Sequence, residues 1–234
     1  MTAQPERLLP FLKNQTFFGG LPDDALEALI RKSHTKNFSK NDAVCRRGEP
    51  GDSLMVILKG RVKISNTNAE AKEVVLNFLG VGDILGEIAA LDGKDRTAHG
   101  VAMEDTEILS IASRDLRPAL AAHPQALMEI IELLCDKLRA ASAIIEDNTL
   151  DMQGRAAKGL LRLADQHGRV TKEGIRIEMP LSQDELGHYL GLSRANVSRQ
   201  LGLLRVAGII KVEASCIIII DMGRLQEIAE NSPE

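Results

Sequence analysis

Between residues 127 and 145 the apolar side chains fall at Leu127, Ile131, Leu134, Leu138, Ala141 and Ile145, with gaps of four, three, four, three and four residues. That is a heptad seam and not the broader stripe of a helix packed on a globular core, and a seam of this width is completed by a second helix. One more step of the pattern reaches Asn148. A polar Asn in such a seam fixes register and oligomeric state at some cost in stability. The spacing therefore predicts a long dimerisation helix over residues 125–150; the competing reading is a long helix lying along the core of its own domain.

The sequence on either side of the seam differs in character. From about residue 36 to 112, short β-rich runs at 54–58, 62–64, 74–78, 101–103 and 107–111 are separated by Gly48, Gly51, Gly60, Gly80, Gly82 and Gly86. Closely spaced glycines are what many short antiparallel strands require at their turns, and the pattern predicts a barrel or roll. A short helical opening precedes it, beginning near Leu21-Pro22-Asp23. With 234 residues the chain has room for two modest cores. The expected division is a β-roll domain over 1–124, the helix over 125–150 and a second domain over 151–234, an α+β architecture.

In the last segment, Leu181-Ser182-Gln183-Asp184-Glu185 contains a capping box between Ser182 and Glu185, Gly191 breaks the helix it starts, and Ser193 is placed to cap another. Helix, short glycine-containing turn and helix make the layout of a DNA-binding helix-turn-helix. On the second helix Val197, Leu201 and Leu204 share one face, while Arg194, Ala195, Ser198 and Arg199 gather on another. Two outward arginines near the start of a helix suit guanine O6 and N7 in the major groove, although an ordinary solvated face has the same pattern. The Ile/Val runs at 209–213 and 216–220 read as a hairpin, a wing with its tip at Ala214-Ser215. Residues 151–234 carry eleven Lys/Arg against eleven Asp/Glu, so bulk charge offers no support for nucleic acid and the case rests on local placement.

The stretch GEIAALDGKDRTA, Gly86 to Ala98, poses the other chemical question. A glycine admits close backbone approach, the first amides of a short helix (Glu87, Ile88, Ala89) suit an anion, and the Arg96 guanidinium suits a phosphate. Glu87 would repel that phosphate but accept from a neighbouring hydroxyl, so the group implied is a ribose phosphate. An equally simple reading is a Glu87–Arg96 ion pair bracing a surface turn.

This segment resembles the phosphate-binding cassette of cyclic-nucleotide-binding domains, and the likeness continues upstream through Arg47-Gly48-Glu49-Pro50-Gly51-Asp52-Ser53-Leu54 and Leu58-Lys59-Gly60-Arg61-Val62-Lys63. With the seam helix and the helix-turn-helix, nearly the whole chain resembles the CRP/FNR family of bacterial regulators, in its cyclic-AMP receptor branch. The resemblance implies an N-terminal β-roll of jelly-roll type, a dimerisation helix and a C-terminal winged helix-turn-helix. It implies that Gly86, Glu87, Ile88, Ala89, Arg96, Thr97 and Ala98 hold the cyclic phosphate and ribose, with Arg96 on the phosphate and Glu87 on the 2′-hydroxyl. It also implies that Ser182, Ser193, Arg194, Ala195, Asn196, Ser198 and Arg199 meet DNA.

Three departures qualify the inference. The family's DNA-reading glutamate is Ala195 here, which removes an acceptor for cytosine N4. Its base-contacting Thr-Ser pair aligns with Ala140-Ala141, leaving Ser142 and Asn148 as the nearest polar candidates. Thr97 directly follows the cassette arginine, as in cyclic-GMP-dependent kinases where that threonine contacts guanine, so cyclic GMP stands beside cyclic AMP as effector.

The implied partners are a second copy of the chain, a palindromic duplex and, for an activator, RNA polymerase; the implied location is the cytoplasm, with no membrane segment. Cys45, Cys135 and Cys216 lie far apart and the five histidines have no ligand spacing, so no metal site is expected. No nucleophile elbow or Walker loop points to an enzyme. A family member sensing an organic acid or redox state, and a nucleotide-regulated protein that binds a partner and not DNA, remain as alternatives.

Overall fold

The computed structural model describes residues 5–147, 149–179, 181–213 and 216–230, and separates into two compact units, Met1–Leu138 and Arg139–Glu234. Asn148 and the wing tip Ala214-Ser215 lie outside the described residues.

The first unit opens with helices α1 (Pro5–Lys13) and α2 (Asp23–Lys32). Eight strands follow: β1 (His34–Phe38), β2 (Ala43–Cys45), β3 (Ser53–Lys59), β4 (Val62–Thr67), β5 (Glu73–Leu79), β6 (Ile84–Leu85), β7 (His99–Ala102) and β8 (Thr106–Ala112). Between β6 and β7 lies the short helix α3 (Glu87–Asp92), and after β8 come α4 (Ser113–Ala122) and the long α5 (Pro124–Asp147), whose residues after Leu138 fall in the second unit. The strands form two antiparallel four-stranded sheets, ordered β1-β8-β3-β6 and β2-β7-β4-β5. Met55, Ile57, Leu85 and Ile108 of the first sheet meet Val62 and Leu79 of the second in a shared core. The outer face of the first sheet, through Leu54, Val56, Leu109 and Ile111, is closed by Leu12, Leu26 and Ile30 from the N-terminal helices, by Phe17 and Phe18 from the turn between them, and by Leu116, Leu120, Ala126 and Ile130 from α4 and α5.

The five expected β runs are all strands. The glycine reading missed β1, β2 and β6: His34-Thr35-Lys36-Asn37-Phe38 has no apolar alternation, and it becomes a strand because it pairs residue for residue with Thr106–Ser110 of β8. Sheet pairing here overrides a weak local preference. The opening helix near residue 22 is α2, and α1 precedes it.

The second unit contains α6 (Met152–His167), β9 (Gly168–Thr171), β10 (Gly174–Ile177), α7 (Gln183–Leu190), α8 (Arg194–Val206), β11 (Ile210–Val212), β12 (Ile217–Ile219) and α9 (Met222–Glu230). Its sheet runs β11-β12-β10-β9, antiparallel throughout. Among the described residues no helix is long and apolar enough to cross a membrane.

Candidate functional site

β6 delivers the chain into Gly86, which caps α3 in the left-handed region at φ 77°. Two demands meet at this residue: an L side chain resists that conformation, and a Cβ built there would overlap the Arg96 guanidinium. Arg96 is therefore packed into the space of an absent side chain. Its backbone is pinned by an N–H donated to Glu49 O (2.8 Å) and a carbonyl accepting from Gly48 N (2.9 Å), beside the Pro50–Asp95 bridge. The residue is only 6% exposed. Its Nη1 donates to Gly86 O (3.1 Å) and its Nη2 to Ser53 Oγ (3.0 Å) on β3. Both partners are neutral oxygens; among the described residues no carboxylate pairs with this guanidinium.

Glu87 begins α3 and is 7% exposed, and its Oε1 accepts from Lys137 Nζ of α5 at 2.8 Å. The Glu87–Arg96 brace is thus overturned: the acid pairs with a lysine and the arginine with neutral oxygens. Arg117 Nε anchors the far end of α3 by donating to Ala90 O at 2.8 Å. Ala89 is buried under the turn and Ile88 exposed. Thr97 is exposed, with its carbonyl accepting from Asn66 Nδ2 at 3.2 Å; the half-buried Ala98 follows it. Behind Ala98 sits Cys45, whose thiol burial pushes upward in pKa despite the opposing pull of the nearby Arg96 charge.

Sequence reasoning brought together Gly86, Glu87 and Arg96, as the fold does, but missed Ser53 and Lys137. They lie 43 and 50 residues from their partners. Ser53 lies inside the stretch quoted for its likeness to cyclic-nucleotide-binding domains but has no role of its own there, whereas Lys137 carries no local signal.

On α5, Leu127 and Leu134 lean partly onto the unit's own core, a partial correction to the seam as a purely intermolecular stripe. Ile131 and Ala141 are exposed, and Leu138 and Ile145 are 68% and 70% exposed. Ser142 is exposed as well.

In the second unit, Ser182 Oγ accepts from Glu185 N (3.1 Å) while the Glu185 carboxylate accepts from Ser182 N (2.9 Å), the reciprocal cap read from the sequence. Gly191 ends α7 in the left-handed region at φ 65°. Ser193 then caps α8 by accepting from Asn196 N at 3.3 Å. Val197, Leu201 and Leu204 are buried, joined by Gln200, which the apolar pattern did not anticipate. Arg194, Ala195, Ser198 and Arg199 form the exposed face, with Ser193 beside them and Asn196 half-buried. Arg194 Nη1 reaches Asp184 Oδ2 (3.4 Å) and Arg199 Nη2 rests on Met152 Sδ (3.7 Å), exposed contacts that constrain neither side chain strongly.

Comparison with known proteins matches each unit separately. Residues 35–123 fit the cyclic nucleotide-binding domain and residues 154–228 the Crp-like helix-turn-helix domain. The chain is 30% identical over 209 residues to a CRP-like cAMP-activated global transcriptional regulator of Mycobacterium tuberculosis, covering 89% of this chain and 93% of that protein. It is 28% identical over 200 residues to the cAMP-activated global transcriptional regulator CRP of Escherichia coli, covering 84% and 94%. FixK2 from Bradyrhizobium japonicum shares the fold with TM-score 0.74 at 22% identity, covering 84% of this chain and 96% of that one. Such relatives are regulators and not enzymes. With a cyclic-nucleotide-binding domain ahead of a helix-turn-helix, and with this kinship along most of its length, the chain belongs to the CRP/FNR family of DNA-binding transcription regulators.

Proposed function

We propose that the chain is a homodimeric regulator that binds a cyclic purine nucleotide in its first unit and a palindromic DNA site with its second. The observation that carries the ligand reading is Arg96, a buried cation held by two neutral oxygens with no carboxylate against it among the described residues. A desolvated charge with no carboxylate in direct contact is costly, and an anionic ligand offsets that cost. Beside it the first turn of α3 leaves amides without intrahelical partners. Lys137 compensates the charge of Glu87 at Oε1, leaving Oε2 to accept from a ribose hydroxyl. Phosphate and adjacent hydroxyl together describe a nucleotide, and Thr97, exposed directly after Arg96, faces the choice of base that makes cyclic GMP a candidate beside cyclic AMP. The names of the mycobacterial and enterobacterial relatives support cyclic AMP.

Glu87 lies one hydrogen bond from α5, and two turns of that helix beyond Lys137 stands the exposed Ile145. Ligand bound at Glu87 therefore acts on the element whose apolar teeth suit a second copy. It shifts the dimer between arrangements only by its difference in affinity for them. In the dimer, two copies of α8 present Arg194, Ala195, Ser198 and Arg199 to major grooves about 34 Å apart. The resemblance to the family leaves Ser142 and Asn148 as the polar candidates for contact with the base, and RNA polymerase is the further partner if the regulator activates.

The test is fluorescence anisotropy of the full chain with palindromic duplexes, run without ligand and with cyclic AMP or cyclic GMP over a range of salt. Nucleotide-dependent tightening with a steep salt slope is expected. Binding that ignores both nucleotides overturns the effector assignment, and absence of duplex binding under every condition overturns the whole.

A further inference from the structure

We propose that Ser53, acting with the carboxylate of Asp52, is the positioning residue that aims Arg96 at one oxygen of the ligand's phosphate. The inference rests on the nucleotide reading and adds to it a residue from outside the cassette.

Arg96 Nη2 donates to Ser53 Oγ at 3.0 Å, and Ser53 Oγ donates in turn to Asp52 Oδ1 at 3.2 Å. A serine hydroxyl has one proton and two lone pairs. With the proton committed to Asp52, Ser53 meets the guanidinium only as an acceptor and cannot turn to donate to a ligand. The main chain at Asp52 is fixed, since its backbone carbonyl accepts from Ser113 N (2.8 Å) at the start of α4. The other terminal nitrogen, Nη1, is held by Gly86 O at the junction of β6 and α3. The guanidinium is thus gripped at both ends, which sets its plane as well as its place.

The arrangement also places charge usefully. A carboxylate paired directly with Arg96 would compete with phosphate for the same N–H groups. Asp52 is kept one hydroxyl away, so it attracts the cation without covering it. Of five guanidinium N–H donors, the two described bonds use two. The remainder serve the anion, and a fixed plane is what a paired approach to two phosphate oxygens demands.

The experiment is calorimetry on the full chain with cyclic AMP and its Rp and Sp phosphorothioates, in which sulfur replaces one or the other exocyclic oxygen. In the wild type one diastereomer binds more weakly than the other. Ser53→Ala should weaken cyclic AMP binding by about 10- to 100-fold, the effect of losing one hydrogen bond to a charged group, and bring the Rp/Sp ratio close to one. Ser53→Thr, which keeps the hydroxyl, should restore both. A Ser53→Ala protein with wild-type affinities, or one that loses all three ligands in equal proportion with the ratio intact, overturns the positioning role; so does a wild type that does not distinguish the diastereomers. If Ser53→Ala does not fold, as judged by its thermal melt, Asp52→Ala frees the hydroxyl proton while leaving the Arg96 partner in place. That variant should also lose discrimination, and an unchanged ratio overturns the proposal. A wild type that binds neither cyclic AMP nor cyclic GMP refutes the nucleotide reading itself, a result distinct from these.

Discussion

Replacing Arg96 by Met should separate the binding of ligand from the stability of the fold. Methionine has similar reach and no charge. Two charge-assisted hydrogen bonds to phosphate contribute about 1.5–3 kcal/mol each, so their loss weakens nucleotide binding by roughly 10²- to 10⁴-fold. The unfolding free energy moves differently because two effects oppose. Losing the bond to Ser53 Oγ costs about 1–3 kcal/mol, whereas Gly86 O still accepts from Ala90 N at 3.0 Å and loses less. Removing a buried cation that no carboxylate among the described residues touches directly, and that Asp52 and Glu49 compensate only from a distance, relieves part of a desolvation penalty of several kcal/mol. The net change should stay within about 2 kcal/mol, and an increase in stability is consistent with the reasoning. Calorimetry gives the affinity and urea titration the stability. Affinity retained within about fivefold would refute Arg96 as the phosphate anchor. A variant destabilised by more than about 4 kcal/mol, with binding lost in step, would make Arg96 a structural brace.

Other consequences concern the helices. The Leu138→Asp/Ile145→Asp double variant should sediment as a folded monomer, since both side chains are exposed in the single chain and each of the four in a dimer contributes about 1.5–3 kcal/mol when buried; a stable dimer would move the interface elsewhere. Arg199→Ala should relax preference at one base pair of each half-site by about 1–3 kcal/mol, measured by competition with substituted duplexes, and unchanged selectivity would remove it as a base reader. Ser182→Ala should cost the second unit about 1 kcal/mol in urea titration through loss of the α7 cap, with no measurable loss speaking against the reciprocal bond.

The legible parts of the chain were those in which chemistry and spacing are local. Ser182 and Glu185 stand three residues apart and cap α7 as their order implies, and Gly191 ends it where a left-handed residue is needed. Gly86 and Glu87 are adjacent, and Arg96 follows within one short helix and its turn. What sequence pattern could not supply is what folding brings from a distance. Ser53 reaches Arg96 because β3 pairs with β6, and Lys137 reaches Glu87 from a helix 50 residues on. The polar β1 is a strand because β8 offers it a ladder, which no property of His34-Thr35-Lys36-Asn37-Phe38 announces. The seam was legible as a period, yet Leu127 and Leu134 divide their contacts between that stripe and the core beneath, since a helix can serve two neighbours with residues a turn apart.

The vacancy at Gly86 makes two positions mutually dependent. Because the guanidinium occupies the volume any larger residue would claim, a single methyl group added at position 86 would displace Arg96 while leaving the side chains of Glu87, Ser53 and Arg96 itself chemically unchanged. If the proposed function holds, nucleotide sensing could then be silenced by one of the smallest changes available to a protein, while the exposed face of α8 was left intact. On the proposed reading, a regulator deaf to its nucleotide is thus one substitution away.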